Sequence, residues 1–278
     1  MADITADLVK KLRDATNVSM MECKRALVEA GGDMDKATKL LRERGMAVAA
    51  KKASRTANQG LIASAQASNG TIVSLIEVNS ETDFVARNET FKAFVASLAQ
   101  RACQTDEPLA PQVQAELTSK IAEIGENIVV RRNTRYVLNG AGAVSSYIHL
   151  GGKVGVLIEV NCEKPETAQN PAFKVLVLDL TLHVAACAPR WMKPQDAPAD
   201  VVASEREIYA KQVQGKPAQV VEKIVAGKLD KFYAETCLLN QGFVKEPKQS
   251  VTELLKATGK TLGDNVTIRR YVRYQLGE

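Results

Sequence analysis

The sequence is poor in the residues that carry out chemistry. Two histidines in 278 residues, one tryptophan and 5% aromatic residues leave few groups for acid–base work and little surface for stacking nucleic-acid bases. The five cysteines, Cys23, Cys103, Cys162, Cys187 and Cys237, are far apart and form no C-x-x-C pair. That excludes the spacing of a structural zinc site or a dithiol redox motif, and the thiols read as buried groups of a reducing cytosol. No apolar run reaches the length of a membrane-spanning helix; the longest candidate, Phe173 to Ala188, is interrupted by Lys174, Asp179 and His183. The start, MADITADLVKK, has no basic leader before an apolar stretch, so a cytoplasmic protein without a signal peptide is expected.

Catalytic motifs are also missing: no G-x-S-x-G, H-E-x-x-H or paired zinc-ligand spacing occurs, which argues against hydrolytic and metal chemistry. Gly140-Ala-Gly142-Ala-Val-Ser145 imitates a dinucleotide fingerprint but lacks the third glycine and precedes a strand. Gly151-Gly-Lys-Val-Gly155 has the wrong spacing for a phosphate loop. Neither an enzyme nor a cofactor or metal is expected. The net charge of +5, from 37 basic and 32 acidic residues, suits an acidic protein partner as well as nucleic acid. Hydrophobic content of 45% with 25% charged residues is ordinary for folded domains, and the length predicts two or three of them.

What is present is a duplication. Residues 75–98 recur at 157–180 with a constant offset of 82 and twelve identities in twenty-four positions, among them Leu75/Leu157, Glu77/Glu159, Asn79/Asn161, Phe91/Phe173 and Leu98/Leu180. A second match, Gly125 to Leu138 against Gly263 to Leu276, has an offset of 138. The second copy therefore carries about 56 extra residues between its helix and its last strand, enough to form a structure of its own.

In each copy two strand-like runs flank a turn, Asn69-Gly70 in the first and Gly151-Gly152 in the second, which reads as a hairpin. A helix follows each hairpin, at Glu89 to Arg101 and Pro171 to Cys187. The repeat unit is thus β-β-α(-α)-β, a three-stranded antiparallel sheet with helices on one face. Residues 1–57 read differently, as three helices and an alanine- and lysine-rich connector. There Ser19 to Glu22 matches a capping box, Gly31-Gly32 a helix end and Asp33 an N-cap. The division expected is 1–57, 58–140 (first repeat) and 141–278 (second repeat), with a helical hairpin inserted at about 188–243. Within it, Ala199 to Gln214 and Ala218 to about Ala234 are helix-like around a Gly215-Lys216-Pro217 turn. The fold class is α+β.

The copies diverge where Thr82-Asp83-Phe84-Val85 faces Lys164-Pro165-Glu166-Thr167. Thr82 or Asp83 can cap a short helix, placing Phe84 on its first turn just beyond a strand. Since the second copy keeps the framework with Glu166 at that place, the scaffold does not need Phe84, and an outward aromatic is expected. Met20 and Met21 are adjacent on a helix and face about 100° apart, so one of them is expected to be exposed. Arg131, Arg132 and Arg135, with Arg269, Arg270 and Arg273, suit phosphates, but arginines repeated in both copies read better as a solvated or ion-paired sheet face.

The segment TDFVARN after LIEVNSE, together with LRDATNVSMMECKRAL and HLGGKVGVLIEV, resembles the translation elongation factor Ts family, and the motifs fall in the family's order from end to end. The resemblance implies a guanine-nucleotide exchange factor for elongation factor Tu with a small three-helix (UBA-like) domain, two repeated subdomains and a helical-hairpin insertion. It implies that Thr82, Asp83, Phe84 and Val85 dislocate Mg²⁺ from the partner's nucleotide site. It also implies that Arg13, Met20 and Met21 contact the nucleotide-binding domain, and that His149 and its hairpin contact another domain of the partner. The partner is expected GDP-bound or nucleotide-free; no membrane and no specific nucleic acid are expected, and the hairpin is expected to serve self-association. The alternative reading is an RNA- or ribosome-binding module using the basic strands; a hydrolase would need His149 and His183 brought together.

Overall fold

The computed structural model describes residues 4–16, 18–213, 215 and 217–278; Asn17 in the N-terminal motif, and Gln214 and Lys216 at the expected tip of the inserted hairpin, lie outside them. The N-terminal bundle comprises α1 (Ala6–Thr16), α2 (Met20–Glu29) and α3 (Met34–Lys52). The Ser19 side chain accepts from the Glu22 N–H and Asp33 from the Lys36 N–H, two of the otherwise unpaired donors of a helix start. Val9, Leu12, Cys23, Ala26, Leu27, Ala37 and Leu41 close a small core of their own. The connector is helical as far as Lys52: α3 runs into it and lies along a helix of the first repeat, Gly45 facing Ala122 and the Lys52 ammonium donating to the Gly125 carbonyl.

The first repeat orders β1 (Gln59–Gln66), β2 (Ile72–Ser80), α4 (Asp83–Arg87), α5 (Glu89–Ala102), α6 (Leu109–Gln112), α7 (Gln114–Ile124) and β3 (Ile128–Val137). The second orders β4 (Gly142–His149), β5 (Val154–Asn161), α8 (Pro165–Gln169), α9 (Pro171–Cys187), α10 (Ala199–Lys211), α11 (Ala218–Thr236), β6 (Gly242–Phe243), β7 (Glu246–Ser250), α12 (Val251–Leu262) and β8 (Thr267–Gln275). Both sheets are antiparallel, β1-β2-β3 and β4-β5-β8. Phe91 and Phe173 are fully buried at matching places in the helix-facing cores, each worth about 2 kcal/mol relative to an exposed side chain.

The opposite faces of the two sheets are not solvated, as a sheet with helices on one side suggests, but packed on each other. Ile62, Val73, Leu75, Tyr136, Val144, Leu157 and Tyr274 form a fourth core between them. This explains why β2 and β5 are buried along almost their whole length: adjacent residues such as Leu75 and Ile76 face a sheet and a helix layer in turn, so strict alternation of apolar and polar side chains is lost. The insertion contributes the α10–α11 pair, and the β6–β7 clip follows it.

Matching bulges fall between Glu77 and Val78 and between Glu159 and Val160, each giving one carboxylate two arginines. Glu77 meets Arg132 at 2.7 Å and Arg131 at 3.9 Å; Glu159 meets Arg270 at 2.6 Å and Arg269 at 3.2 Å. The guanidiniums then cross to the other repeat. Arg132 stacks on Tyr274 and Arg270 on Tyr136, while they donate to the Gln275 and Val137 carbonyls respectively. The expected ion-paired sheet face is therefore the fastening between the two repeats.

Candidate partner-binding surface

α4 is only five residues long, and each end is fixed by a side chain. Thr82 is extended and its hydroxyl oxygen accepts from the Val85 N–H at 3.4 Å; Asn88 ends α4 and caps α5 by accepting from the Thr90 and Phe91 N–H groups. Arg87 pairs with Asp83 at 2.7 Å on the outer surface. Ala86 is buried and Val85 packs on the first-repeat core, which turns the remaining face outward. Phe84 stands on it 79% exposed, an unusual place for a large apolar ring that has no packing role.

The start of α4 is held from the α7–β3 junction. The Thr82 N–H donates to Glu126 Oε2 at 3.0 Å and its hydroxyl to Glu126 Oε1 at 2.6 Å. Next door the Asn127 N–H donates to Glu81 Oε1 at 2.7 Å, and this bond holds the Glu81 carboxyl below the usual carboxylate range. In the second repeat Glu166 is likewise exposed on the first turn of α8, so the backbone is repeated and the side chain is not.

His149 ends β4, exposed, its Nδ1 3.0 Å from the Tyr147 hydroxyl. Its turn is pressed against the first repeat: the Ile62 N–H donates to the Gly152 carbonyl at 2.8 Å and Lys153 reaches Gln59 at 3.1 Å. α4 packs on the same strand, β1, so the His149 turn and the Phe84 helix are both fastened to it. Arg13, Met20 and Met21 belong to the bundle instead. Arg13 is exposed on the last turn of α1, and Met20 and Met21 on the first turn of α2 are 42% and 62% exposed. Both methionines are exposed, where the helix geometry required only one.

The two histidines do not converge. His183 is fully buried in α9, its Nδ1 accepting from the Val244 N–H at 3.1 Å and its Nε2 3.0 Å from Gln241 Oε1. Burial lowers its pKa, so it is a neutral core side chain that ties the β6–β7 clip to α9. Four cysteines are buried as expected; Cys187 is partly exposed and is the exception. Among the described residues no group of His, Cys, Asp and Glu is placed to hold a metal ion, and no helix is long and apolar enough to cross a membrane. Sequence reasoning missed Glu126, although its place in the second match, opposite Asp264, was a signal that could have found it.

The family model for Elongation factor TS matches residues 81–278. Elongation factor Ts of Bdellovibrio bacteriovorus is 44% identical, the alignment covering 99% of this chain and 92% of that protein. Elongation factor Ts of Nitratiruptor sp. is 43% identical and that of Trichlorobacter lovleyi 41%, each over 99% of this chain and 93% of the relative. The family-model match begins just before the exposed Phe84 helix and takes in the rest of the first repeat and all of the second, and the alignments with the relatives extend through β1, β2 and the N-terminal bundle: this chain belongs to the elongation factor Ts family.

Proposed function

We propose that this chain is a translation elongation factor that binds elongation factor Tu and promotes GDP release, with Thr82, Asp83, Phe84 and Val85 dislocating Mg²⁺ from the nucleotide site. The observation that carries the reading is Phe84, 79% exposed on a helix that the other repeat builds without an aromatic. A rigidly mounted aromatic is the usual anchor of a protein interface. Arg13, Met20 and Met21 on the bundle and His149 beside β1 supply further contacts, the methionines adapting to the partner's surface.

No bond needs to break in such a process. Contacts at separate stations stabilise a partner conformation that holds nucleotide and Mg²⁺ poorly, and by linkage nucleotide weakens the factor's grip equally. A thousandfold acceleration needs about 4 kcal/mol of differential stabilisation, within reach of one buried aromatic anchor and a broad interface. The factor is not a hydrolytic enzyme and needs no cofactor of its own, and the cytoplasm is where its partner works. The engagement of Arg132 and Arg270 between the repeats leaves the rival RNA reading short of the groups it needs. Ile208 and Val220, exposed on α10 and α11, give the hairpin apolar surface for the expected self-association.

The test is stopped-flow release of fluorescent GDP from elongation factor Tu at fixed Mg²⁺. Acceleration by substoichiometric amounts of this protein is the expected result; release at the spontaneous rate contradicts the reading.

A further inference from the structure

The two repeats use one device at the same place, with a difference confined to the copy that bears Phe84. In the second repeat Asp264 accepts from the backbone N–H groups of Glu163 and Lys164 at 3.1 and 3.0 Å and from the Thr167 hydroxyl inside α8, bracing the strand-to-helix turn without a side-chain cap from Lys164. Its counterpart Glu126 is one methylene longer and accepts from the backbone N–H and the hydroxyl of Thr82. Three side chains change together between the copies: the acid lengthens, Lys164 is matched by Thr82, and Glu166 by Phe84.

The chemistry of the hydroxyl links these changes. Thr82 Oγ1 has one hydrogen and two lone pairs. With its hydrogen held by the Glu126 carboxylate at 2.6 Å, its lone pairs are left for the Val85 N–H, the cap of α4. Charge-assisted bonds of this kind are shorter and stronger than neutral ones. The carboxylate is half-buried and its neighbour Asn127 is clamped to Glu81 and to the Arg55 carbonyl at 2.7 and 2.8 Å, so the brace stands on a fixed base. A five-residue helix has little stability of its own, and a ring on its first turn is only as well aimed as its cap.

We propose that Glu126 is a positioning residue for exchange, acting through Thr82 to fix the direction in which Phe84 is presented to the partner. This rests on the reading of Phe84 as the wedge. A misdirected ring withholds its stabilisation from the step in which the nucleotide site opens, while the other contacts still hold the partner, so the loss is expected in the maximal rate of nucleotide release, not in the concentration that half-saturates it.

The experiment is stopped-flow GDP release from elongation factor Tu over a range of factor concentrations, with Glu126→Gln, Glu126→Asp, Asp264→Asn and Phe84→Ala. Glu126→Gln keeps the shape but removes the charge and one acceptor oxygen. It is expected to lower the maximal rate about tenfold with the half-saturating concentration unchanged, and to add no further loss on top of Phe84→Ala, because both act through one ring. Glu126→Asp, which imitates the shorter brace of the second repeat, keeps the charge but not the reach to the Thr82 hydroxyl, and is expected to recover little of the rate. Asp264→Asn, checked by thermal unfolding alongside the others, loses an equivalent brace without slowing release. Wild-type release from Glu126→Gln when Phe84→Ala is slow overturns the brace alone. Equal slowing by Glu126→Gln and Asp264→Asn, in step with their loss of stability, also overturns it. Wild-type release from Phe84→Ala removes the wedge and the brace together.

Discussion

The first and second repeats share a sheet, a bulge, a buried glutamate with its arginines, and a buried phenylalanine, yet at the turn from sheet to short helix one presents a phenylalanine to solvent and the other a glutamate. Phe84 is exposed where Glu166 stands in the other copy, while Phe91 and Phe173 are both fully buried. A duplicated chain thus carries an internal control: what the two copies keep is what the fold requires, and what one copy changes is free for use.

The most severe way to test the shared part is to cut the fastening between the repeats. Arg132→Ala and Arg270→Ala each leave a fully buried carboxylate, Glu77 or Glu159, without its closest cation. Each is expected to lower unfolding free energy by about 3 kcal/mol, the lower end for a broken buried pair because the guanidiniums are themselves partly exposed. Urea unfolding measures both, and a clear inequality between them breaks the symmetry of the two repeats.

Phe84→Ala tests the unshared part. It is expected to slow stimulated GDP release about thirtyfold, the equivalent of about 2 kcal/mol, with unfolding free energy changed by less than about 0.5 kcal/mol because the ring packs on nothing. Glu166→Ala, at the matching place, is expected to alter neither.

The turn glycines separate the copies on a finer scale. Gly70 and Gly152 both have positive φ, but a Cβ on Gly70 meets only the Gln66 side chain at 3.7 Å, whereas on Gly152 it lies 2.7 Å from Leu61 and 3.2 Å from the Ile62 carbonyl. Gly70→Ala should destabilise by about 1 kcal/mol, the strain of a left-handed residue, and Gly152→Ala by more, since its turn is pressed onto β1. Equal melting temperatures for the two variants would show that the β4–β5 turn is not tightly docked.

The smallest effect concerns acid. His183 matches Arg101, which pairs with Glu116 on the surface, whereas the second-copy residue is fully buried against Gln241, Phe243 and Val244 of the clip. Its folded pKa is lowered by burial from 6.5, so the contribution is complete above about pH 6.5 and declines as pH falls towards the folded value, where the unfolded chain holds a proton that the folded one does not. Unfolding free energy measured from pH 7 to 5 should fall by less than one proton's slope, and His183→Gln should remove that slope; an unchanged slope assigns it elsewhere.

Much of this was legible in the residues. The offsets of 82 and 138 paired β2 with β5, α5 with α9 and β3 with β8, because a repeat reports equivalence without needing propensities. The outward aromatic was legible from Glu166 alone. The packing of one sheet on the other was not, because an interface between distant strands has no local signal; adjacent apolar residues such as Leu75 and Ile76 were its only trace. Nor was the exchange of Arg132 and Arg270 between repeats, which depends on where the bulges aim them. Glu126 escaped notice because a single carboxylate beside a turn looks like ordinary surface until its partner is seen.

If the exchange function was added to one copy of the repeat, the scaffold folds without it. The direct measurement replaces Thr82, Asp83, Phe84 and Val85 by the second repeat's own residues, Thr82→Lys, Asp83→Pro, Phe84→Glu and Val85→Thr together, and records unfolding and stimulated GDP release on the same preparation. A folded protein of nearly native stability that leaves release at the spontaneous rate is the expected result. A folded protein that still accelerates release as the natural chain does would contradict it.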